Sequence, residues 1–447
     1  MNHAYRLVWN DRDQRYVPAP ETARARGKRG RQKILVASLA ALGVLNTQAA
    51  PVGGQVAAGS GSISQSGSLT TISQSSQNLS LNWQSFSIAS GETVKFDQPN
   101  ASAIALNRVL GNEQSRIYGS LQANGQVFLI NGNGVLFGKT AQVDVGGLVA
   151  STLNISDADF MAGNYRFAGS GGSVINQGVI NAPNGYVALL GGQVSNEGTL
   201  TARLGTVALA AGNAVTLSFA GNKLLDVQVS EGAIQALAAN KQLIQADGGT
   251  VILTASAKDA LLDAVVNNTG VIEARTISNQ GGTIKLLGDM NYGTVNVDGR
   301  LDASAPDGGN GGFIETSAHK VKVADGAIIS TRSTRGKSGL WLIDPRDFTI
   351  AASGGDITGS TLSSNLGSGN VQILSAKGTS GTSGDINVND VVNWSTSTTL
   401  TLSAANNINI NANITATGNT AGLKLFSGGS DASNGGFDAA LVNLASG

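Results

Sequence analysis

Two neighbouring segments of this chain superimpose at a spacing of 20 residues, Val174-Ile175-Asn176-Gln177-Gly178-Val179-Ile180 and Val194-Ser195-Asn196-Glu197-Gly198-Thr199-Leu200. The frame returns at Val266-Asn267-Asn268-Thr269-Gly270-Val271-Ile272. Counting from the glycines at 178, 198, 270, 299 and 326, the second residue on is aliphatic (Ile180, Leu200, Ile272, Leu301, Ile328). The fourth is small (Ala182, Ala202, Ala274, Ala303, Ser330). A second strand signal follows a further glycine, with inward positions at Val187 and Leu189, Val207 and Leu209, Val251 and Leu253, and Ile284 and Leu286. Alternation at period two marks a strand, and a short unit repeated along the chain must stack on its copies to bury its apolar face. The pattern predicts an all-β chain, a right-handed parallel β-helix (solenoid) with small extra-helical insertions.

In such a coil each strand pairs with its equivalent one turn away, about 4.8 Å distant. About 20 residues per turn over roughly 400 residues predicts about 20 turns and a rod near 95 Å. The glycines are expected where the backbone turns with positive φ. Asn176, Asn196 and Asn268 fall at equivalent positions and are expected to bond one another as a ladder. Two stretches break the repeat. Ser256-Ala257-Lys258-Asp259 has the form of a capping box and predicts a short helix or turn excursion running to Val266, and residues 230–243 read as partly helical.

The amino terminus carries an address. Nine Lys or Arg fall in the first 33 residues (Arg6, Arg12, Arg15, Arg24, Arg26, Lys28, Arg29, Arg31, Lys33) against Asp11, Asp13 and Glu21. An uncharged apolar run at 34–45 follows, ending in Thr47-Gln48-Ala49-Ala50. The run is shorter than the roughly 20 residues of a permanent membrane helix, and its small-residue end suits signal peptidase, with cleavage expected after Ala49 or Ala50. Without this leader, 20 basic residues face 26 acidic ones. A mildly acidic chain has no electrostatic footprint for nucleic acid or an anionic membrane, and neither partner nor stable membrane insertion is expected. There is no cysteine, so stability must come from packing and backbone hydrogen bonds. The 60 glycines with 41% hydrophobic residues fit short strands and turns rather than disorder.

Residues 83–138 carry a resemblance. Trp83-Gln84-Ser85-Phe86, Phe96-Asp97-Gln98-Pro99, Asn107-Arg108-Val109, and Asn124-Gly125-Gln126-Val127-Phe128-Leu129-Ile130 running into Asn131-Gly132-Asn133-Gly134-Val135-Leu136-Phe137 closely resemble the secretion (TPS) domain of filamentous haemagglutinin-like exoproteins. These are the substrates of two-partner secretion. The leader, with Asn2-His3-Ala4-Tyr5-Arg6-Leu7-Val8-Trp9, resembles that family's extended signal peptides, and Trp341-Leu342-Ile343-Asp344-Pro345 with Asp347-Phe348-Thr349 resembles a segment of its large members. The chain departs at Gly132, where the family usually has proline. Glycine and proline both favour a tight turn there.

The resemblance implies export by Sec and the periplasm, then through an outer-membrane TpsB-type barrel transporter, to the cell surface or the medium. It implies a cleaved extended signal peptide at 1–50, a haemagglutination-activity or two-partner secretion domain at 51–300, and a continuing β-helical passenger at 301–447, expected to be truncated. It implies secretion-motif residues Asn107, Arg108, Asn124, Gly125, Asn131, Asn133 and Gly134. The turn at 131–137 acts in transporter recognition or in nucleating the first fold, and the sequence leaves both open.

Catalytic, cofactor and metal sites are not expected. The acids Glu92, Asp97, Asp144, Asp157, Asp159 and Asp226 are scattered without a paired-carboxylate motif, which argues against an enzyme. His3 lies in the leader, and His319, beside Lys320 and Lys322, reads as a solvated strand residue. Asp307-Gly308-Gly309-Asn310-Gly311-Gly312-Phe313 occurs as one copy and reads as a turn before a strand, not a calcium repeat. Asn407-Ile408-Asn409-Ile410-Asn411 reads as a coil face with its polar residues outward, and Trp83 and Phe86 as caps on the apolar end of the rod. The leading functional expectation is an adhesin whose receptor is a glycan or protein on a host or bacterial surface. The alternatives are the delivery stalk of a contact-dependent toxin and a haem-carrier-binding protein.

Overall fold

The computed structural model describes residues 50–220, 223–258, 264–377 and 382–428, with the backbone of the strands Tyr5–Asn10, Arg15–Pro20 and Val442–Leu444. The chain divides into two compact units, Met1–Thr47 and Gln48–Gly447. Within the first, Tyr5–Asn10 pairs antiparallel with Arg15–Pro20. The apolar run at 34–45 and Ala49 lie outside the described residues.

The second unit is a parallel β-helix with three sheet faces. The longest has fourteen strands, from Gln55–Ala58 to Gly422–Phe426, and the others have eleven and eight. Register is kept by the buried alternation. Val187 pairs with Val207, Val207 with Val251, Val251 with Ile284, Ile284 with Ile314 and Ile314 with Trp341. All are essentially inaccessible to water, and a one-residue slip would turn this interior column outward. Each fully buried aliphatic contributes about 1.5–3 kcal/mol.

The rod is shorter than the repeat predicts. Successive strands of the long face begin at Tyr186, Thr206, Thr250, Thr283, Phe313 and Leu340, so only the first of these steps is 20 residues. Fourteen strands span about 60 Å rather than 95 Å. The extra residues lie in excursions. Asp157–Ala162 is a helix capped by Ser156, whose Oγ accepts from the Asp159 amide, and ended by Gly163 at φ 77. The hairpin of Ala214–Ala220 and Lys223–Glu231 packs with it on the outside of the long face. Phe160, Phe167, Val215 and Leu217 there cover Phe128, Tyr186 and Leu190, making a second, external core.

The helical expectation for residues 230–243 fails. Residues 230–243 end one strand and form another, Leu237–Asn240, because Ala236, Ala238 and Ala239 are buried in the coil. Of the excursion expected after Ser256, residues 259–263 lie outside the described residues; Ala264–Asn268 is a strand, and Ser256 Oγ donates to Asp289 Oδ2 at 3.2 Å. The sequence pattern does not mark the two helices among the described residues, Asp157–Ala162 and Gly359–Leu366.

The asparagine ladder is present and longer than expected. The Nδ2 of Asn176 donates to Asn196 Oδ1, Asn196 to Asn240 and Asn240 to Asn268, each at 2.8 Å, and all four residues are fully buried. Asn240 falls in the stretch that reads as helical. Of the five repeat glycines only Gly326 has positive φ. At the others the constraint is proximity between rungs: a Cβ on Gly198 would lie 2.3 Å from Gly178 O, and one on Gly299 2.0 Å from Gly270 O. A second column runs along another corner, where Gly205, Gly249, Gly312 and Gly339 each lie against a glycine carbonyl one rung below.

Trp83 and Phe86 do not cap the rod. They are buried edge to face at 5.4 Å within it, and the chain before them closes the end. Gln55–Ala58 pairs antiparallel with Asn78–Trp83, and the hairpin Gly61–Ser66 with Leu69–Gln74 closes the eleven-stranded face, so neither first rung presents a free parallel edge. Ile408 and Ile410 point inward with Asn409 half-buried outside, as the alternation predicts, and the residues before Phe313 form a turn.

Candidate functional site

The motif residues occupy two adjacent rungs, Ile104–Val109 and the strand Gln126–Ile130 with its two corners. Consecutive strand residues face opposite sides. Asn107 therefore faces the interior, between Leu81 and Leu129, and Arg108 the exterior. Asn107 is fully buried. Its Oδ1 accepts from Trp83 Nε1 at 3.0 Å, and its Nδ2 donates to Ala105 O and Phe128 O. A buried indole N–H needs a partner, and Asn107 supplies it. Thr316 does the same for Trp341 at 3.2 Å.

Arg108 clamps the helical excursion. Its Nη1 meets Asp157 at 2.9 Å and Asn82 at 3.2 Å, Nε reaches Asn154 and Nη2 donates to Ile155 O. Asp157 also accepts from Ser80 Oγ at 2.7 Å.

At one corner Asn124 exchanges reciprocal 2.8 Å bonds with the Gln98 main chain. Gly125 donates to Gln98 Oε1 at 3.0 Å, and a Cβ there would lie 2.6 Å from that oxygen. Gln98 Nε2 reaches Gln74, Ala103 O and Gln126 O, so a buried pair of amides ties three rungs. The sequence reasoning did not single out Gln74 or Gln98, although Gln98 sits inside a quoted motif.

At the other corner Asn131 is buried. Its Nδ2 donates to Glu113 O and Ser115 Oγ, and its Oδ1 accepts from the Asn133 amide at 2.9 Å. Its main chain accepts from Gly134 at 3.0 Å, closing a β-turn, and donates to Ser151 O one rung on. Asn133 Nδ2 reaches back to Gly111 O, and Gly134 has φ 119. The Arg108 rung pairs in register with Ile130, but Arg108 and Asn131 share no bond. Of the seven motif residues Asn124 and Asn133 are exposed, and Arg108 is half-buried. Every charged or amide side chain among them is bonded within the fold. The segment that Asn131 and Asn133 hold forms one wall of a cavity of about 530 Å³ lined by Val52, Ile88, Glu113, Arg116 and Tyr118, with Ala50 at its edge.

Acid–base geometry is sparse. Among the described residues no cluster of His, Asp and Glu could hold a metal ion. His319 is half-buried, and burial and its cationic neighbours Lys320 and Arg346 push its imidazole below the usual value. Burial, then Glu315, raises the Asp344 carboxyl. Burial raises the Tyr186 hydroxyl well above the ordinary range, and it donates to Gln126 Oε1 at 2.5 Å.

The fold is a parallel β-helix closed at its first rungs, with two corners tied by side-chain amides. The profile of the TPS secretion domain matches residues 47–303 and that of the Extended Signal Peptide of Type V secretion system matches 1–50, so the chain belongs to the two-partner secretion exoproteins. These features direct it to Sec-dependent secretion and imply a TpsB-type transporter. The secretion domain of HMW1 from Haemophilus influenzae is similar at TM-score 0.60 and 25% identity, over 88% of this chain and all of that one. Two Heme/hemopexin-binding proteins of Haemophilus influenzae are 35% and 34% identical over 245 and 249 residues, which is 49% and 54% of this chain. The chain spans 26% and 27% of their lengths.

Proposed function

We propose that this chain is the secretion front and first passenger rungs of a surface-presented adhesin without enzymatic activity, and that its motif corners nucleate folding on the outer face of the membrane. Residues 1–50 are the cleaved leader, 51–300 the secretion domain and 301–447 passenger. One observation carries the nucleation reading: Asn124, Asn131 and Asn133 spend their amides on bonds that join adjacent rungs, so they set the first coils in register. Each later coil then adds backbone bonds and apolar burial to a formed template.

The cavity beside Asn131 supports a second reading, in which the transporter grips that wall. One experiment separates them. Asn131→Ala is made in the full chain, export is measured with and without the transporter, and the purified protein is refolded from urea. Slow or incomplete refolding together with lost export supports nucleation, whereas normal refolding with lost export assigns the corner to recognition. Export intact would leave a plain structural turn. Adhesion is tested by cell binding of the exported chain. A haem-carrier role rests on the names of two relatives alone and would require hemopexin binding by this chain, and a toxin-stalk role would require a toxic domain attached to it.

A further inference from the structure

We propose that the Asp344–Pro345 bond is a self-cleavage site, cut by the carboxyl of Asp344 itself in mildly acidic solution. Of the 7 prolines in the chain, Pro345 alone follows an aspartate. Asp344 ends the strand Leu340–Asp344 on the long face. Trp341 and Ile343 are buried, so the alternation turns Asp344 to the outside, where it is half-buried. It pairs with Ser317 on the rung before, whereas pairing with the rung after stops at Ile343 and Ile373. The chain then leaves the ladder through a residue without an N–H.

The surroundings equip this bond for attack from within. The Ala318 amide donates to Asp344 O at 3.2 Å and polarises the carbonyl. The Asp344 carboxyl makes no hydrogen bond or ion pair among the described residues. Its charged neighbours are engaged elsewhere. Glu315 on the preceding rung meets Lys285 at 3.7 Å and Ser317 Oγ at 3.0 Å, and Arg346 donates to Met290 O, Lys377 O and Asn291 Oδ1. His319, on the turn after Ser317, faces Lys320, Arg346, Asp347 and Asp289. Asn370–Leu374 on the following rung carries no charge. Burial, then Glu315, lets the carboxyl keep its proton above the usual range, against the opposing charge of Arg346.

The step is a hydrolysis in two parts. A carboxyl oxygen of Asp344 adds to its own main-chain carbonyl carbon and closes a five-membered cyclic anhydride. The bond to the Pro345 nitrogen breaks as the carboxyl proton passes to that nitrogen, which leaves as a secondary amine. Water then opens the anhydride and leaves Asp344 with a free α-carboxylate. Attack within one residue has the advantage of any well-placed intramolecular reaction. It is a single event in the chain's own backbone, without turnover of a substrate, and it is independent of the adhesin reading. Leu340–Asp344 stays paired with Phe313–Ser317 and Asn370–Leu374, so the cut rod holds together and the cut shows only on denaturation.

The purified chain is incubated from about pH 4 to about pH 7, in buffer and in urea, and the fragment beginning at Pro345 is followed by denaturing gel and mass spectrometry. Cleavage should rise as pH falls, with its acid limb at higher pH in the folded chain than in urea. Asp344→Glu, which would need a six-membered ring, should slow it about tenfold or more. Pro345→Ala restores an ordinary secondary amide, should slow it likewise, and serves as the second variant if Asp344→Glu melts early. Absence of the Pro345 fragment, indifference to both variants, or coincident limbs in buffer and urea would each overturn the site.

Discussion

Replacing Asn240 by alanine cuts the internal amide ladder at its middle. Three donor bonds disappear, to Asn268 Oδ1 at 2.8 Å and to the carbonyls of Gln242 and Val271, together with the bond accepted from Asn196. Asn196 keeps two other acceptors for its Nδ2, Gly198 O and Leu243 O, so it is not orphaned. The Asn268 side-chain oxygen loses the amide aimed at it, and water cannot replace that amide in a fully buried position. An unsatisfied buried acceptor costs about 1–3 kcal/mol and each net hydrogen bond about 1 kcal/mol, so the substitution should cost roughly 3 kcal/mol. Amide exchange in Gln193–Asn196, Thr199–Thr201 and Leu243–Gln245 should then speed up about a hundredfold. Asn296→Ala is the internal control. It breaks a 2.7 Å bond of the same chemistry to Asn267 on the half-buried outer side and should cost at most about 1 kcal/mol. Equal losses for the two variants would refute the claim that burial sets the strength of the ladder.

Gly205→Ala should destabilise the rod and lower export, because its Cβ would lie 2.0 Å from Gly185 O, as read by thermal melting and secretion yield. Gly132→Pro should raise stability by about 0.4–1 kcal/mol in urea titration with export unchanged, since Gly132 is the second residue of the 131–134 turn and its amide makes no bond among the described residues. At Asp247 burial alone would raise the carboxyl, but the bonds and charge of Arg275 outweigh it and hold it below the usual value. The pair therefore adds stability above the ordinary carboxylate value of about 4, lost as pH falls through the depressed folded value. Asp247→Asn should flatten that acid limb of the stability curve. Asn107→Leu should strand the Trp83 indole N–H and cost about 1–3 kcal/mol, seen as a loss of stability and a change in tryptophan fluorescence.

The coil was legible because its interior is written at period two and its corners in glycine. Val187, Leu189, Val207 and Leu209 face inward as the pattern predicts. Rung number was not legible, since excursions such as 152–172 and 214–231 serve an external core that has no periodic signature. Asn240 was missed because Leu237-Ala238-Ala239 carries good helix formers, and pairing with Val265-Val266-Asn267 on the next rung overrides that preference. The motif residues were found by resemblance, while what they bond to could not be read. Gln98 lies far from Gln74 and Asn124 in sequence and meets them only through the stacking of turns.

One feature of the later rungs concerns interchangeability. After Ile328–Ser330 and Lys320–Val323 two of the three faces stop, and the helix Gly359–Leu366 stands where a strand would continue. Asn365 takes the place of strand backbone there, accepting from the Ile329 amide at 2.8 Å and donating to Ala327 O, while Ser363 Oγ accepts from the Asn393 amide on the far side. Only the fourteen-stranded face runs through unbroken. On that face the fit is thus made by a few side chains of one helix, while at the end of Lys320–Val323 the Val323 amide donates to Asp356 O at 2.8 Å. Such a splice lets the rungs beyond it change in sequence or number without resetting the register of the rungs before it.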